Sequence, residues 1–390
     1  MTDLTTAPAN SIPFNRPYLT GLELTKIQEA NARGQLSGVG WFTERCQAWL
    51  QDRLGTHRAL LTNSATAALE MTALLLNIEP GDEVIMPSFT FVSTANAFVL
   101  RGGRPVFVDI RPDTLNVNED LIAEAITART RAIVVVHYGG VACDMDKIMD
   151  LAARHGLAVV EDAAHAILAD FKGKPLGTIG DLGCLSFHET KNVISGEGGA
   201  LLINRPELVA RAEVIRQKGT NRSAFQRGLA DKYSWVDIGS SFLPGEMIAA
   251  FLFAQLTHAD EITQRRRAIW QSYYNAFGEA ERQGLLLRPT VPDVCGHNGH
   301  LYYLLLNSAE IRHDFIAFMA QRGIITPFHY VCLHNSLAGL KYGRFQGKLD
   351  VAVKASECLV RLPLWLGIEG SLQERVIDAA LAYFETSGIR

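Results

Sequence analysis

The sequence predicts an α/β protein with a large three-layer domain, built on a mostly parallel sheet, and a small α+β domain at its C-terminal end. Three observations carry this expectation. Between residues 58 and 161, short apolar runs alternate with helical segments, the pattern of repeated β-α units. The runs lack the alternation of a half-exposed strand, as expected where helices cover both faces of a sheet. After Arg288 and Pro289 the texture changes to a few strands and helices with a core of their own.

Taken in order, residues 1–50 read as an N-terminal arm and helix, 51–260 as the large domain and 261–390 as the small one. Residues 12–17 carry two prolines and are extended, since each proline biases its predecessor away from helix. Gly38-Val-Gly40 forms a turn, read either as part of a packed arm or as a glycine loop touching a ligand, and residues 42–50 behind it form a helix. Strands are predicted at 58–62, 83–86, 105–108, 132–136 and 158–161, with helices at 65–77, 93–101, 118–128 and 144–155. The helix at 65–77 is apolar nearly all round, which places it deep in the sandwich. Residues 206–283 are largely helical, with an interruption near 219–245. In the last part, strands are expected at 300–306 and 328–331, and helices at 311–322 and from 371 to about 386.

Composition narrows the function. With 390 residues, 48% hydrophobic and 20% charged, the chain has the make-up of a globular protein with a substantial core. A net charge of −4 gives no reason to expect a nucleic acid or an anionic membrane as partner. No apolar run approaches the roughly 18 residues of a membrane span. Residues 1–10 lack the basic and apolar regions of a secretory signal. Six scattered cysteines without a CxxC pair fit reduced thiols in the cytoplasm, and no zinc or other metal site is expected.

Four stretches carry possible chemistry. The first is the lone lysine of Ser186-Phe-His-Glu-Thr-Lys191, on a polar turn between an apolar strand and the glycine cluster 196–199. Such a lysine would sit at the mouth of the sheet and suits a Schiff base with pyridoxal phosphate; a surface lysine is the commoner use. Ser186, five residues earlier, is placed to meet the phosphate, with His188 and Glu189 in support. The second is Thr62-Asn-Ser-Ala-Thr-Ala-Ala68, where Asn63 or Ser64 caps a helix at a strand end. This is either a well-capped helix or an anion site. The third is Glu161-Asp162, where adjacent acids suggest one pointing inward and one outward. Asp162 ends a buried strand, where it either pairs with a cation, a protonated pyridine nitrogen or an Arg or Lys, or caps the next helix; His165 lies close by. The fourth is Phe91, after the second strand, as a stacking ring or a core aromatic. Neither the dinucleotide glycine fingerprint nor a P-loop occurs.

These stretches resemble the DegT/DnrJ/EryC1/StrS sugar aminotransferases, which have the type I pyridoxal-phosphate fold. The resemblance rests on Ser64-Ala-Thr-Ala-Ala68, Gly81-Asp-Glu-Val-Ile-Met-Pro-Ser88, Val160-Glu-Asp-Ala-Ala-His165, Ser186–Lys191 and Gly196-Glu-Gly-Gly199, and spans nearly the whole chain. It implies that Lys191 binds the cofactor covalently and shuttles a proton, and that Asp162 pairs with the pyridine nitrogen. It further implies that Phe91 stacks on the ring, Ala65, Thr66 and Ser186 hold the phosphate, and His165 hydrogen-bonds the 3-hydroxyl side. Segments 91–101, 218–223, 237–241 and 361–364 resemble a subgroup acting at C4 of a dTDP-linked 4-keto-6-deoxy sugar, with L-glutamate as amino donor. The resemblance also implies a homodimer with shared active sites. Many members carry an Asn and an Arg where this chain has Ser241 and Leu243, the Asn reaching the partner subunit's phosphate. Ser241 is the residue expected there, and His329 and Tyr330 are expected near the substrate.

Overall fold

The structure, a computed structural model, describes residues 11–386. The reading of residues 1–10 as lacking a secretory signal lies outside the described residues. The chain opens with α1 (Glu23–Ala32) and α2 (Trp41–Leu54), then enters β1 (Arg58–Thr62), α3 (Ala65–Leu75), β2 (Glu83–Pro87), α4 (Val92–Val99) and β3 (Arg104–Val108). It continues through α5 (Glu119–Ala125), β4 (Thr130–Val136), α6 (Met145–His155), β5 (Ala158–Asp162), β6 (Leu182–Ser186) and β7 (Gly199–Ile203). Helices α7 (Val209–Arg216), α8 (Glu246–Leu256) and α9 (Ala259–Ala276) follow. The last part holds β8 (Tyr302–Leu306), α10 (Ala309–Gln321), α11 (Asp350–Cys358), β9 (Leu359–Leu362) and α12 (Ser371–Thr386).

The large sheet runs β1-β7-β6-β5-β4-β2-β3, and the two-residue strand Arg344–Phe345 from the C-terminal part joins its edge. Strand β7 alone runs against its neighbours; β1 pairs with it antiparallel, and so does β6. All five strands expected between 58 and 161 are present, and nearly every residue in them is buried, which is why they carry no polar alternation. Apolar clusters cover both sheet faces, one with α3 and α4, the other with α2, α6 and α8.

Helix ends follow capping chemistry. Ser64 accepts from the Ala67 N–H at 3.0 Å, so α3 starts at Ala65, and it stops short of Asn77, which adopts φ +53°. Asn118 caps α5 and Ser308 caps α10, which sets their starts at 119 and 309. The turn at residues 38–40 packs as part of the arm. The Glu246 carboxylate accepts from the N–H groups of Gly40, Phe42 and Thr43 and so caps α2, in the apolar cluster that also holds β1 and α8.

A second sheet of Leu286–Leu287, β8 and β9 carries its own cluster with α9, α10 and α12. The strand expected at 328–331 does not form. Phe328 makes one bridge to Val360, and the chain then leaves the ladder. A strand would turn neighbouring side chains to opposite faces, whereas His329 and Tyr330 both line one cavity. No described helix is long and apolar enough to cross a membrane.

Candidate active site

The strand register brings the candidate residues together. Asp162, the last residue of β5, pairs with Cys184, and β6 runs two residues further to Ser186. Gly199, the first residue of β7, pairs with Ser186 on one side and Thr62 on the other. A β-carbon at Gly199 would collide with the backbone of Ser64 and Ala65, so glycine is what lets β7 pass under the start of α3. The first N–H groups of α3 have no intrahelical acceptor and carry the positive end of the helix dipole. The Thr66 hydroxyl bonds that of Ser93 at 2.8 Å.

These elements enclose a cavity of about 760 Å³, lined by Ala65, Thr66, Phe91, Asp162, His165, Ser186, Lys191, His329 and Tyr330. Nine of the ten residues singled out from sequence therefore share one site. Ser241 does not line it: it is exposed, forms a bridge to Gln217, and its carbonyl accepts from the Asn63 amide at 3.3 Å.

Lys191 follows a turn closed by its own N–H on the His188 carbonyl at 2.9 Å. Burial lowers its amine to about 8; Asp162 pulls the other way, and the like charge of Arg361 adds to the depression. An appreciable share of free amine is therefore present near neutral pH. The Asp162 carboxylate accepts from the Thr94 hydroxyl at 2.7 Å and the Ala164 N–H at 3.2 Å. Burial raises its pKa against these bonds and the charges of Lys191 and His137.

The expectation of one inward and one outward acid is corrected in part. Glu161 and Asp162 do take opposite faces of β5, but both are buried. Glu161 accepts from the N–H groups of Gly177, Ile179 and Gly180 and pairs with His137 Nε2 at 2.8 Å, so its role is to hold the loop after β5.

His165 accepts the Gly139 N–H at Nδ1, 3.3 Å, so its proton sits on Nε2 and points to the Tyr330 hydroxyl at 3.3 Å. Burial holds it neutral, well below the usual histidine range. It stacks on His300 at 4.2 Å, and His300 Nδ1 bonds Asn192 Oδ1 at 2.9 Å. His329 Nδ1 bonds the buried Tyr138 hydroxyl at 3.0 Å.

Sequence reasoning missed Thr94, Tyr138, Asn192, His300, Arg361 and the arm residue Phe14. Thr94 had a local signal, standing three residues after Phe91 at the start of a helix, and so did Asn192, directly after Lys191; Arg361 opens the segment 361–364. Tyr138, His300 and Phe14 arrive by long-range packing. Among the described residues, no group of three or more His, Cys, Asp or Glu has the arrangement of a metal site.

Comparison with known proteins identifies a family. Residues 17–381 match the DegT/DnrJ/EryC1/StrS aminotransferase family. The chain is 34% identical over 375 residues to dTDP-4-dehydro-2,3,6-trideoxy-D-glucose 4-aminotransferase of Saccharopolyspora spinosa, covering 94% of this chain and 95% of that one. It is 32% identical to the spore coat polysaccharide biosynthesis protein SpsC of Bacillus subtilis, over 94% of this chain and 96% of the relative. Among solved structures, the aminotransferase TlmJ from Streptoalloteichus hindustanus superposes with a TM-score of 0.89 at 32% identity, over 96% of this chain and 99% of that one. The PLP-form of the sugar aminotransferase Spr1654 from Streptococcus pneumoniae gives 0.88 at 26% identity, over 96% and 99%. The chain belongs to the DegT/DnrJ/EryC1/StrS aminotransferase family and is a pyridoxal phosphate-dependent sugar aminotransferase of the type I fold.

The residues present fit that cofactor. A helix start kept open by Gly199, with Thr66 and Ser186 beside it, suits a phosphate. Asp162, buried and held by two neutral donors, suits a protonated ring nitrogen. Phe91, more than half exposed at the rim, sets its ring 6.4 Å from that of Tyr330 and is open enough to stack on a ligand.

Proposed function

We propose that the chain transfers an amino group from L-glutamate to C4 of dTDP-4-keto-6-deoxy-D-glucose, giving dTDP-4-amino-4,6-dideoxy-D-galactose. The observation that carries the aminotransferase reading is Lys191 and Asp162 facing one cavity whose floor is the open start of α3. The sugar rests on the segments 91–101, 218–223, 237–241 and 361–364. It is supported by a relative, 34% identical, that is itself a 4-aminotransferase for a dTDP-4-dehydro sugar.

Bound pyridoxal phosphate supplies the electron sink that makes the hydrogen at the donor's Cα acidic. Asp162 would hold the pyridine nitrogen protonated, and the α3 start with Thr66 and Ser186 would hold the phosphate. Lys191 Nζ is both the covalent anchor and, once released, the base that lifts the proton from the donor's Cα. In the second half-reaction the same nitrogen delivers a proton at C4 of the sugar, on whichever face the cavity presents. The Tyr330 hydroxyl accepts the His165 Nε2 proton, which leaves its own proton free for a ligand in the cavity.

We further propose a homodimer that completes the site. The excursion between α7 and α8 exposes Phe225, Tyr233, Trp235, Val236 and Ile238, and α8 adds Met247. So much exposed apolar surface on one segment fits a face covered by a second copy. Ser241 lies on this excursion, outside its own cavity, as a residue serving the partner's phosphate must be. A cytoplasmic location follows from the cysteine usage and the substrate class.

The test is incubation of purified protein with dTDP-4-keto-6-deoxy-D-glucose and L-glutamate, with NMR of the product. An axial amine at C4 is expected. An equatorial amine, or amination only of a different keto sugar, overturns the assignment of the sugar and leaves the aminotransferase standing.

A further inference from the structure

We propose that Asn192 and His300 are positioning residues that together aim the Lys191 amine. The inference rests on the reading of Lys191 as the residue that captures the cofactor, and it names what sets that residue's direction.

Main-chain bonds close the turn before Lys191, and the next ladder begins at Gly199. Between them, the residue directly after the lysine is tied sideways. Asn192 Nδ2 donates to the Asn298 carbonyl at 2.9 Å, and its Oδ1 meets His300 Nδ1 at 2.9 Å. Because the amide nitrogen serves Asn298, the oxygen is the acceptor, and His300 carries its proton on Nδ1. Both side chains are buried. Burial also holds His300 neutral, well below the usual histidine range, so the bond keeps one direction near neutral pH.

The segment that receives Asn192 is itself held firmly. Buried Arg266 donates Nε to the Gly299 carbonyl and Nη2 to those of His300 and Leu364. Gly299 adopts φ +62°, and a β-carbon there would collide with the Arg266 backbone, so glycine lets the chain lie against α9. Asn298 Nδ2 donates to the carbonyls of His165 and Ile167, both at 2.8 Å, and the His300 ring stacks on that of His165. One short stretch, residues 298–300, therefore fixes both the lysine's neighbour and a histidine that lines the same cavity. Buried hydrogen-bond networks of this kind specify one geometry where apolar packing would allow several. Aim matters at this amine, since a displacement of about 1 Å can cost about 10²-fold in rate.

The experiment follows covalent capture of pyridoxal phosphate by the cofactor-free protein, and then both half-reactions in single turnovers, by stopped-flow absorbance. Asn192→Leu keeps the shape and removes both bonds. His300→Phe keeps the stacked ring and removes one bond, whereas His300→Asn keeps a donor near the place of Nδ1 and removes the ring. Asn192→Leu and His300→Phe should each slow capture about 10- to 50-fold, and both half-reactions by a similar factor. Combining them should cost little more than either alone, as for residues that act as a unit. His300→Asn should recover most of the loss. The glutamate KM of Asn192→Leu should stay within about threefold, because Asn192 does not line the cavity. Its pH bend for capture should stay near 8, because the amine remains buried.

A bend moved up to the ordinary lysine value overturns the proposal, since the turn has then opened to water and the contact is only structural. Losses that multiply in the double variant overturn the pairing. Loss in His300→Asn beside normal capture in His300→Phe also overturns it, in favour of the stack on His165. Should Asn192→Leu not fold, the two His300 variants carry the same comparison, with normal capture in His300→Phe as the overturning result. A wild type that takes no borohydride label on Lys191 overturns the reading of the lysine and this pair with it. A labelled wild type beside an Asn192→Leu that captures at the same rate overturns the pair alone.

Discussion

On the large-sheet side of the cavity, each chemical group hangs from a backbone ladder or a capped helix. Asp162 and Ser186 end adjacent parallel strands, Ala65 and Thr66 open α3, and Lys191 closes the turn after β6. On the facing side, His329 and Tyr330 come from irregular chain, Arg361 from an edge of the small sheet, and Phe14 from the arm. His329 and Tyr330 are held by side-chain contacts, on Tyr138 and His165, whereas Arg361 is fixed by its strand and only its guanidinium rests on a side chain, over Phe14. The difference teaches how one scaffold divides its work. A wall fixed by main-chain bonds keeps the cofactor's reacting atoms in one place, while a wall fixed by side chains can change partners and so select substrates.

That division breaks most visibly if the lysine is dispensable. Lys191→Ala should lower turnover by at least about 10⁴-fold, because anchor and proton carrier are lost together. The variant should still hold cofactor noncovalently, since the helix start and Asp162 are untouched. Borohydride treatment followed by peptide mapping checks this: wild type should carry a label on Lys191, and the variant none. Near-normal turnover in the variant would place the chemistry elsewhere. Next in size, Asp162→Asn should cost about 10²- to 10³-fold in kcat while conserving shape, since it removes the charge that keeps the ring nitrogen protonated. Steady-state kinetics at saturating cofactor separates this from weak binding. An equal loss from any variant of the facing wall would erase the contrast.

The sequence made the ladder-built wall legible and left most of the other hidden. Asp162 stands out because an acid at the end of an unbroken apolar run needs a cation. Lys191 stands out because its turn separates two apolar strands, and Ser64 because a capping residue precedes a helix apolar all round. These signals are local. Arg361, His300 and Phe14 reach the cavity from 361, 300 and 14, and no spacing announces that. The antiparallel sense of β7 was equally hidden, since an apolar strand reads the same in both directions. The failed strand at 328–331 shows the same limit, because placing His329 and Tyr330 on one cavity breaks the alternation a strand imposes.

The pH dependence sharpens the account of Lys191. Its amine in the cofactor-free protein sits at about 8, below the ordinary 10.5, because burial disfavours the charged form. The reactive species is the free amine, so capture of pyridoxal phosphate should rise about tenfold per pH unit below 8 and then level off. At pH 7 about one molecule in ten is ready, against about one in 3,000 for an ordinary lysine. Stopped-flow absorbance of cofactor addition from pH 6 to 10 reads the bend. Because the Asp162 carboxylate favours the charged lysine, Asp162→Asn should move the bend to lower pH. A bend near 10 in wild type would mean a solvated lysine, and the large-sheet wall would lose its distinction.

The smallest effect tests whether that wall is fixed by backbone alone. Thr94 is in α4, yet its hydroxyl reaches across to Asp162 Oδ2 at 2.7 Å and also meets Thr90 at 2.9 Å. It is the one side-chain bond among the donors that orient the aspartate; the other is the Ala164 N–H. Thr94→Val keeps the shape and removes the donor, at a cost of about 1–2 kcal/mol for a buried carboxylate short of one hydrogen bond. Part of that cost falls on the empty protein, so cofactor affinity should fall only about 3- to 10-fold, and kcat by less. Fluorescence titration of the cofactor-free variant measures the first, and steady-state kinetics the second. If affinity is unchanged, the strand end and Ala164 suffice to aim the carboxylate. If it falls as far as in Asp162→Asn, the aspartate is set by a side chain after all, and the two walls are built alike.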